Sequence, residues 1–182
     1  MPVIAVDPYF SVWSFSDRLT DDMTRHWTGA HQPLVGLLCI DGRCWRFLGP
    51  VGGDAMEQIS VEVLPTRTCH VLRAGGIELR LTFTTPVLPQ DLDVFSWPLA
   101  YVDAEIVAID GRVHEVGMYL HVCGQIAVDN PSQWVNWSRF RFGEVQSVAD
   151  DIRAVEGSLL SRRPAHQGHA GLLRRRIPRR RD

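Results

Sequence analysis

Lysine is absent from this 182-residue chain, and all 19 of its basic side chains are arginine. Function rarely demands this, and a GC-rich coding sequence, which favours arginine codons, explains it more simply. Long apolar runs are also missing, since none approaches the ~18–20 residues that a membrane-spanning helix needs. The hydrophobic share of 45% and the charged share of 22% are those of an ordinary globular protein. The composition therefore predicts one folded domain with no membrane partner.

The motifs of common catalytic and cofactor sites are missing as well. The chain has no GxSxG elbow, Walker loop, HExxH pair or Gly-rich dinucleotide fingerprint. Serine and histidine occur, but no spacing singles out a nucleophile and its base. We therefore assign no catalytic residue and expect no cofactor.

The four cysteines form no CxxC pair. Three lie in apolar or strand-like runs, where a thiol behaves as a small hydrophobic side chain, so we expect all four to be free. A Cys39–Cys44 bridge across a hairpin is the alternative. His121 and Cys123 would share one face of a strand, with His114 more distant. Two ligands and a distant third do not make a tetrahedral set, so we expect no metal site.

Charge is distributed unevenly along the chain. Residues 1–160 hold 11 arginines against 20 acidic residues, whereas residues 161–182 hold 8 arginines against one. This basic, low-complexity tail predicts disorder from residue 161 to residue 182. No aromatic residue interleaves with its arginines and the rest of the chain is acidic, so we expect nonspecific attraction to anions and no nucleic-acid partner.

Apolar and polar residues alternate with a period of two between residues 34 and 142, interrupted by turn residues. Strand-like runs flank Asp41-Gly42, a strong hairpin signal, and Asp110-Gly111 predicts another hairpin. The cleanest alternation covers residues 77–84. Short strands with one apolar face, joined by such turns, are typical of antiparallel sheets packed face to face. The predicted fold class is all-β, with an antiparallel β-sandwich over residues 1–143.

The pattern changes after residue 143. Apolar residues there recur at spacings of three and four, namely Val145, Val148, Ile152, Val155 and Leu159. This period predicts a short C-terminal helix over residues 144–160, ahead of the basic tail.

A block dense in aromatic residues opens the chain, with the sequence DPYFSVWSFSD from Asp7 to Asp17. Together with MEQISVEVLPTRT over residues 56–68, LTFTTP over residues 81–86 and DLD over residues 91–93, it resembles the glutaminase A family of microbial proteins. The resemblance covers most of residues 3–143. It implies the N-terminal β-rich region of a large hydrolase whose C-terminal domain is an α/α-toroid and which acts on the side-chain amide of glutamine.

The resemblance also implies a partner that is missing here, because the toroid domain has no counterpart in this sequence. The family's sheet region would continue past residue 143, where this chain changes to the arginine-rich tail. We therefore expect a truncated or frame-shifted chain that is a non-catalytic scaffold region, inactive alone. The alternative is a carbohydrate-binding or protein-interaction β-sandwich module with a small-molecule or sugar ligand.

Arg25, His26 and Trp27 form a charged and aromatic cluster in a polar, loop-like segment. Exposed Trp and Arg side chains in loops often contact ligands or partners, so we interpret the cluster as a candidate ligand or interdomain contact. In the alternative interpretation Trp27 caps the sandwich and Arg25 pairs with Asp21 or Asp22.

Four further tryptophans, Trp13, Trp97, Trp134 and Trp137, would suit a sugar-binding platform. Aromatic residues on strands more often lie in the core, where each buries ~150–250 Å². We expect core positions for these residues with Trp134 as the exception, and Trp134 joins the candidate contacts because it lies outside the main alternation.

The start of the chain bears on its location. Met1 leads directly into Pro2-Val3-Ile4, without a basic region or a hydrophobic signal core. As written, the chain is expected in the cytoplasm; a start site further upstream would predict secretion.

Overall fold

The structure, a computed structural model, describes residues 1–128, 130, 133–142, 145–151, 161–164 and 169–177. Almost all regular structure in these residues is β-strand. The strands are β1 (Pro2–Ala5), β2 (Ser11–Trp13), β3 (Leu34–Ile40), β4 (Arg43–Leu48), β5 (Asp54–Ala55), β6 (Glu57–Leu64), β7 (Arg67–Ala74), β8 (Ile77–Thr84), β9 (Tyr101–Ala108), β10 (His114–Val122), β11 (Trp134–Phe142), β12 (Val145–Asp151), β13 (Ser161–Pro164) and β14 (His169–Ile177). A short helix, α1 (Leu92–Phe95), and a single 3-10 turn, Gly124–Ala127, complete the described elements.

Two large sheets build the molecule. One has the strand order β14-β10-β3-β4-β5, and the other has the order β6-β7-β8-β9. Smaller units are the β1–β2 pair and a three-stranded sheet in which β11 lies between β12 and β13. Neighbouring strands run antiparallel except β4 and β5, which are parallel.

Side chains from both large sheets meet in one core. Leu38 of β3 and Phe47 of β4 are buried together with Leu79, Leu81 and Phe83 of β8. Successive side chains of a strand point to opposite faces, so each sheet turns its apolar face toward the other. The prediction of an all-β, antiparallel, sandwich-like fold is confirmed.

The C-terminal part of the chain differs from the predicted helix and disordered tail. Val145–Asp151 is a strand paired with β11, while residues 152–160 lie outside the described residues. Within the basic tail, Ser161–Pro164 pairs with β11, and His169–Ile177 pairs with β10 along its whole length. The helix prediction is therefore wrong for residues 145–151, and the disorder prediction is wrong for residues 161–164 and 169–177. Unpaired strand edges offer backbone donors and acceptors, and pairing with such an edge outweighs the local pattern and composition.

The segment around Asp110-Gly111 is a crossing between sheets, not the predicted hairpin. β9 ends at Ala108 in the four-stranded sheet, and β10 begins at His114 in the five-stranded sheet. Each strand pairs with an earlier strand, β9 with β8 and β10 with β3, so the two are not hydrogen-bonded to each other.

The other Asp-Gly turn is a hairpin, as predicted, and it carries a disulfide. Asp41 and Gly42 both have positive φ, of 51° and 85°, as the common two-residue hairpin turn requires. The turn places Cys39 directly opposite Cys44, and their sulfurs are bonded. The expectation of four free thiols is therefore wrong for this pair.

The buried imidazole of His114 holds the segment that crosses between the two sheets in place. His114 Nδ1 lies 2.6 Å from Asp41 Oδ2, and His114 Nε2 lies 3.0 Å from Asp110 Oδ1. Carboxylates only accept, so both ring nitrogens donate and His114 is held as the imidazolium. The hydrogen bonds that His114 donates to Asp110 and Asp41 accordingly raise its pKa. This link joins the β3–β4 hairpin to the start of β10.

We predict that stability falls as pH rises above about 6.5, the ordinary pKa of histidine. Folding raises the pKa of His114, so its stabilising effect is fully present below the unfolded pKa and is lost as pH rises through the folded pKa. Urea unfolding at several pH values measures this. The His114→Gln variant should show a smaller alkaline decline, and equal declines in both proteins would contradict the assignment.

A second histidine, His70, lies in the core, and neither of its ring nitrogens has a hydrogen-bond partner among the described residues. Its ring meets Phe83 edge-on, with centroids 6.1 Å apart. Burial lowers the pKa of His70 from 6.5 to about 4, because a charged imidazolium would lose its hydration without gaining a partner. His70 is therefore neutral at neutral pH.

At His70 the pH dependence has the opposite sign. In the unfolded chain His70 is protonated below about pH 6.5, whereas in the folded chain it is protonated only below its pKa of about 4. The free energy of unfolding therefore falls as pH decreases between these two values. From pH 7.5 to pH 5 the loss from this residue is about 2 kcal/mol. In urea unfolding, His70→Leu should remove about that much of the acid destabilisation. The exposed His31 provides the control, since His31→Gln should keep it. An unchanged acid limb in His70→Leu would refute the prediction.

Candidate functional site

A cavity of about 590 Å³ lies where β3 begins and β10 ends. Gln32 lines it two residues before β3, and the 3-10 turn lines it just after β10. The Asp41–His114 link lies at the opposite end of the same two strands. The volume falls within the usual range for small-ligand sites. The lining residues are Asp7, Tyr9, Phe10, His26, Thr28, Ala30, His31, Gln32, Pro98, Gln125, Ile126, Ala127, Val128 and Gln133.

The β1–β2 connection forms one wall. Asp7 Oδ1 accepts the backbone N–H groups of Tyr9 at 2.7 Å and Phe10 at 2.8 Å, which fixes a tight turn. The turn leaves the Tyr9 side chain 86% exposed at the cavity. An aromatic ring is therefore presented to solvent by a rigid backbone.

The segment between β2 and β3 forms the facing wall. Arg25 exchanges backbone hydrogen bonds with Trp13, at 2.7 and 2.9 Å, and the His26 N–H donates to Ala30 O at 2.8 Å. Gly29, with φ of 91°, turns the chain between them. The predicted loop cluster thus sits on a small hairpin that is tied to β2.

His26 and Trp27 join the two walls. His26 Nε2 and Trp27 Nε1 each lie 2.8 Å from the Pro8 carbonyl oxygen, which can only accept. His26 therefore carries its proton on Nε2, and Nδ1 accepts from the Thr28 hydroxyl at 2.8 Å. With both nitrogens engaged, His26 positions the loops and leaves no lone pair for a base.

Arg25 points away from the cavity. Its guanidinium donates to both oxygens of Asp22, at 3.0 and 3.3 Å, and lies 5.9 Å from the Phe15 ring centroid. This is the Asp22 pairing of the alternative interpretation. A role of Arg25 as a ligand or interdomain contact stays a prediction, as it does for His26, Trp27 and Trp134.

Three exposed tryptophans are next in sequence to residues that line the cavity. Trp27 is 56% exposed, Trp97 52% and Trp134 61%. Each is covalently bonded to a lining residue, and these neighbours are His26, Thr28, Pro98 and Gln133. Four aromatic side chains, including Tyr9, are therefore solvent-facing at or beside the cavity.

These positions partly match the expectations for tryptophan. Trp134 is exposed as predicted. Trp97 was expected in the core but is exposed, because it lies in the surface connection between β8 and β9. Trp13 is half-buried and donates to Ser11 Oγ, whereas the side chain of Trp137 lies outside the described residues.

Sequence reasoning missed Gln32. It is only 9% exposed, and its Oε1 is buried with no hydrogen-bond partner in the part of the chain that the structure describes. The backbone is fixed by Thr24, whose hydroxyl donates to Gln32 O at 2.7 Å and accepts the Leu34 N–H at 2.8 Å. A single glutamine before a strand carries no signal of its own, since its burial arises only when the loops pack.

The lining carries one acidic side chain, Asp7, and two histidines, His26 and His31. Three amides (Gln32, Gln125 and Gln133) and the hydroxyls of Tyr9 and Thr28 also line it, and the described lining residues include neither arginine nor lysine. Such groups suit a neutral ligand that both donates and accepts hydrogen bonds.

In the part of the chain that the structure describes, no three His, Cys, Asp or Glu side chains come together as a metal ion would need. His114, considered with His121 and Cys123 as a ligand, is instead engaged with two aspartates. The same residues contain no helix long and apolar enough to cross a membrane.

Comparisons with known proteins support the resemblance in a coarse form. Residues 1–62 match a family described as a domain of unknown function (DUF4964), and residues 66–154 match another with the same description (DUF5127). Glutaminase A of Aspergillus oryzae is 23% identical over 146 residues, which cover 75% of this chain and 21% of that protein. The chain thus spans about a fifth of this curated relative. No solved structure matches the chain. The similarity to Glutaminase A is distant.

We predict that Trp27→Phe lowers the free energy of unfolding by about 1 kcal/mol, because Pro8 O loses one of its two donors. Urea unfolding measures the change. Trp97→Phe is the matched control, since Trp97 is similarly exposed and makes no side-chain hydrogen bond among the described residues. Equal effects of the two substitutions would show that the Pro8 contact does not hold the walls together.

Proposed function

We propose that this chain is the non-catalytic N-terminal β-sandwich region of a glutaminase A-like amidohydrolase, where it is the scaffold for an α/α-toroid catalytic domain. The observation that carries the proposal is the distant similarity to Glutaminase A over 75% of the chain. Because the matched stretch makes up 21% of that protein, we assign catalysis to the remainder of such an enzyme.

An uncovered apolar face supports a partner domain. Val61 and Val63 of β6 lie in register, through β7, with Leu81 and Phe83 of β8. The β8 residues are buried in the core, whereas both valines are exposed. Apolar surface that continues a core face is typical of a domain or protein interface. A toroid domain packed against β6 would complete the sandwich there.

The chemistry of the cavity also supports a non-catalytic role. Amide hydrolysis needs an activated nucleophile or water, a proton donor for ammonia and donors for the oxyanion. The described lining residues include no serine, cysteine or lysine, and the Thr28 hydroxyl among them donates to His26. Of the two imidazoles in the lining, His26 already uses both nitrogens.

The test is ammonia release from glutamine by the purified chain. We expect no release above a buffer blank, with Glutaminase A of Aspergillus oryzae as the positive control. A cooperative urea transition must accompany the result, because an unfolded chain would be inactive for a trivial reason. Release that scales with the concentration of the chain would contradict the non-catalytic assignment.

A ligand-binding β-sandwich module is the second candidate function. It is favoured by the three tryptophans that are more than half exposed beside the cavity. The two functions are compatible, because binding requires none of the groups that hydrolysis needs.

A further inference from the structure

The cavity contains an unused hydrogen-bonding group. Gln32 lines the cavity and is nine-tenths buried, and its side-chain Oε1, which has almost no solvent exposure, has no hydrogen-bond partner among the described residues. Oxygen and nitrogen of an amide can exchange places by rotation, so a donor and an acceptor are both available whichever way it is oriented. Leaving such a group buried and unpaired costs about 1–3 kcal/mol. A rotation of the side chain that brings this atom to the cavity surface would let a bound molecule complete its hydrogen bond and recover that cost.

The surroundings of Gln32 add further groups of the same kind. Gln125, Gln133 and Thr28 also line the cavity. The Oε1 atoms of Gln125 and Gln133 accept from the Cys123 thiol and the Asn130 N–H, so their amide NH2 groups remain as donors, while the Thr28 hydroxyl donates to His26 and can still accept. One oxygen of Asp7 is committed to its own turn, which leaves the other oxygen as an acceptor. Apart from the histidines His26 and His31, the described lining residues include no basic side chain, and the carboxylate of Asp7 disfavours an anionic ligand.

The aromatic side chains complete the pattern. Tyr9 lines the cavity at 86% exposure, and Trp27, Trp97 and Trp134 adjoin it along the chain. Apolar surface tends to be removed from water, so flat rings that stay in solvent are kept exposed by the structure around them. The C–H face of a sugar ring stacks on such rings, while its hydroxyls need amide and hydroxyl partners.

We propose that this cavity binds an uncharged, hydroxyl-rich ligand, an oligosaccharide, with Gln32 hydrogen-bonded to sugar hydroxyls and Tyr9 stacked on a sugar face. The cavity of about 590 Å³ admits a small part of a chain, and the exposed tryptophans extend the contact along its neighbours. This inference stands independently of the proposed scaffold function, since a scaffold region can carry a binding site.

Binding is measured by intrinsic tryptophan fluorescence and by calorimetry on the full chain. The probes are cellotetraose, maltotetraose, chitotetraose and xylotetraose. Three tryptophans adjoin the cavity, so a ligand there should change the emission. We expect saturable binding of at least one tetrasaccharide. Tyr9→Ala and Gln32→Leu should each weaken it about tenfold, the change in Kd that corresponds to one lost stacking or amide contact.

The control variant is Trp45→Phe. Trp45 contacts the turn at Gly75, and its neighbours in β4 lead back to the Asp41-Gly42 hairpin, at the end of the sheet away from the cavity. This substitution should leave the affinity unchanged. Tyr9 is largely exposed, so Tyr9→Ala should fold, which keeps the test decisive even where Gln32→Leu fails to fold.

Three results would overturn the inference. One is the absence of saturable binding up to about 10 mM, a concentration that would fill most sites of millimolar Kd. Another is binding that Tyr9→Ala leaves unchanged. The third is saturable binding of free glutamine or of acetylated, amidated tetraglycine alone, which would assign the cavity to an amide-bearing ligand. Because ammonia release is measured separately, this inference and the scaffold function can fail independently.

Discussion

The Asp41–His114–Asp110 contact fixes how the two sheets are joined. After β9 the chain leaves the four-stranded sheet, and β10 must enter the other sheet beside β3. The contact binds the first residue of β10 to the β3–β4 hairpin, and Ile109 N–H donates to Gly76 O, 2.8 Å away in the β7–β8 turn. Three turns from two sheets are thereby held together. Since β10 pairs with β3 and β14, its position determines the register of the five-stranded sheet.

The opposite end of β3 and β10 is built differently, and that difference explains why the cavity lies there. Its walls are loops held by hydrogen bonds between side chains and backbone, such as the one that Asp7 accepts from the Tyr9 N–H and those that His26 and Trp27 donate to Pro8 O. Loops of this kind can present polar and aromatic groups to solvent while the strands beneath them stay packed. The fold thus separates a fastened end from a recognition end along the same pair of strands.

Sequence patterns foresaw the features that depend on neighbouring residues. Period-two alternation gave β8 its buried face, and Asp41-Gly42 gave the hairpin its left-handed turn. The same type of dipeptide, Asp110-Gly111, predicted a hairpin that does not form, because whether two strands pair depends on partners elsewhere in the chain. Val145–Asp151 and the arginine-rich β14 were missed for this reason too, since their partners are distant strand edges. The loop at residues 25–27 was found as a candidate from its side chains, but burial of Gln32 exists only in the folded arrangement.

The structure presents two surfaces with different chemistry, and they answer different questions about this chain. The exposed valines of β6 are apolar and continue a core face, as expected of a surface that another domain covers. The cavity instead combines a buried, unpaired amide with aromatic rings in solvent, and neither feature is needed to support a neighbouring domain. Covering β6 would leave Gln32 unpaired, so a packed partner there does not remove the cost of burying that amide. A scaffold alone therefore accounts for the sheets and leaves the cavity unexplained, whereas a ligand that donates and accepts hydrogen bonds would pair with Gln32 once its side chain turns toward the cavity.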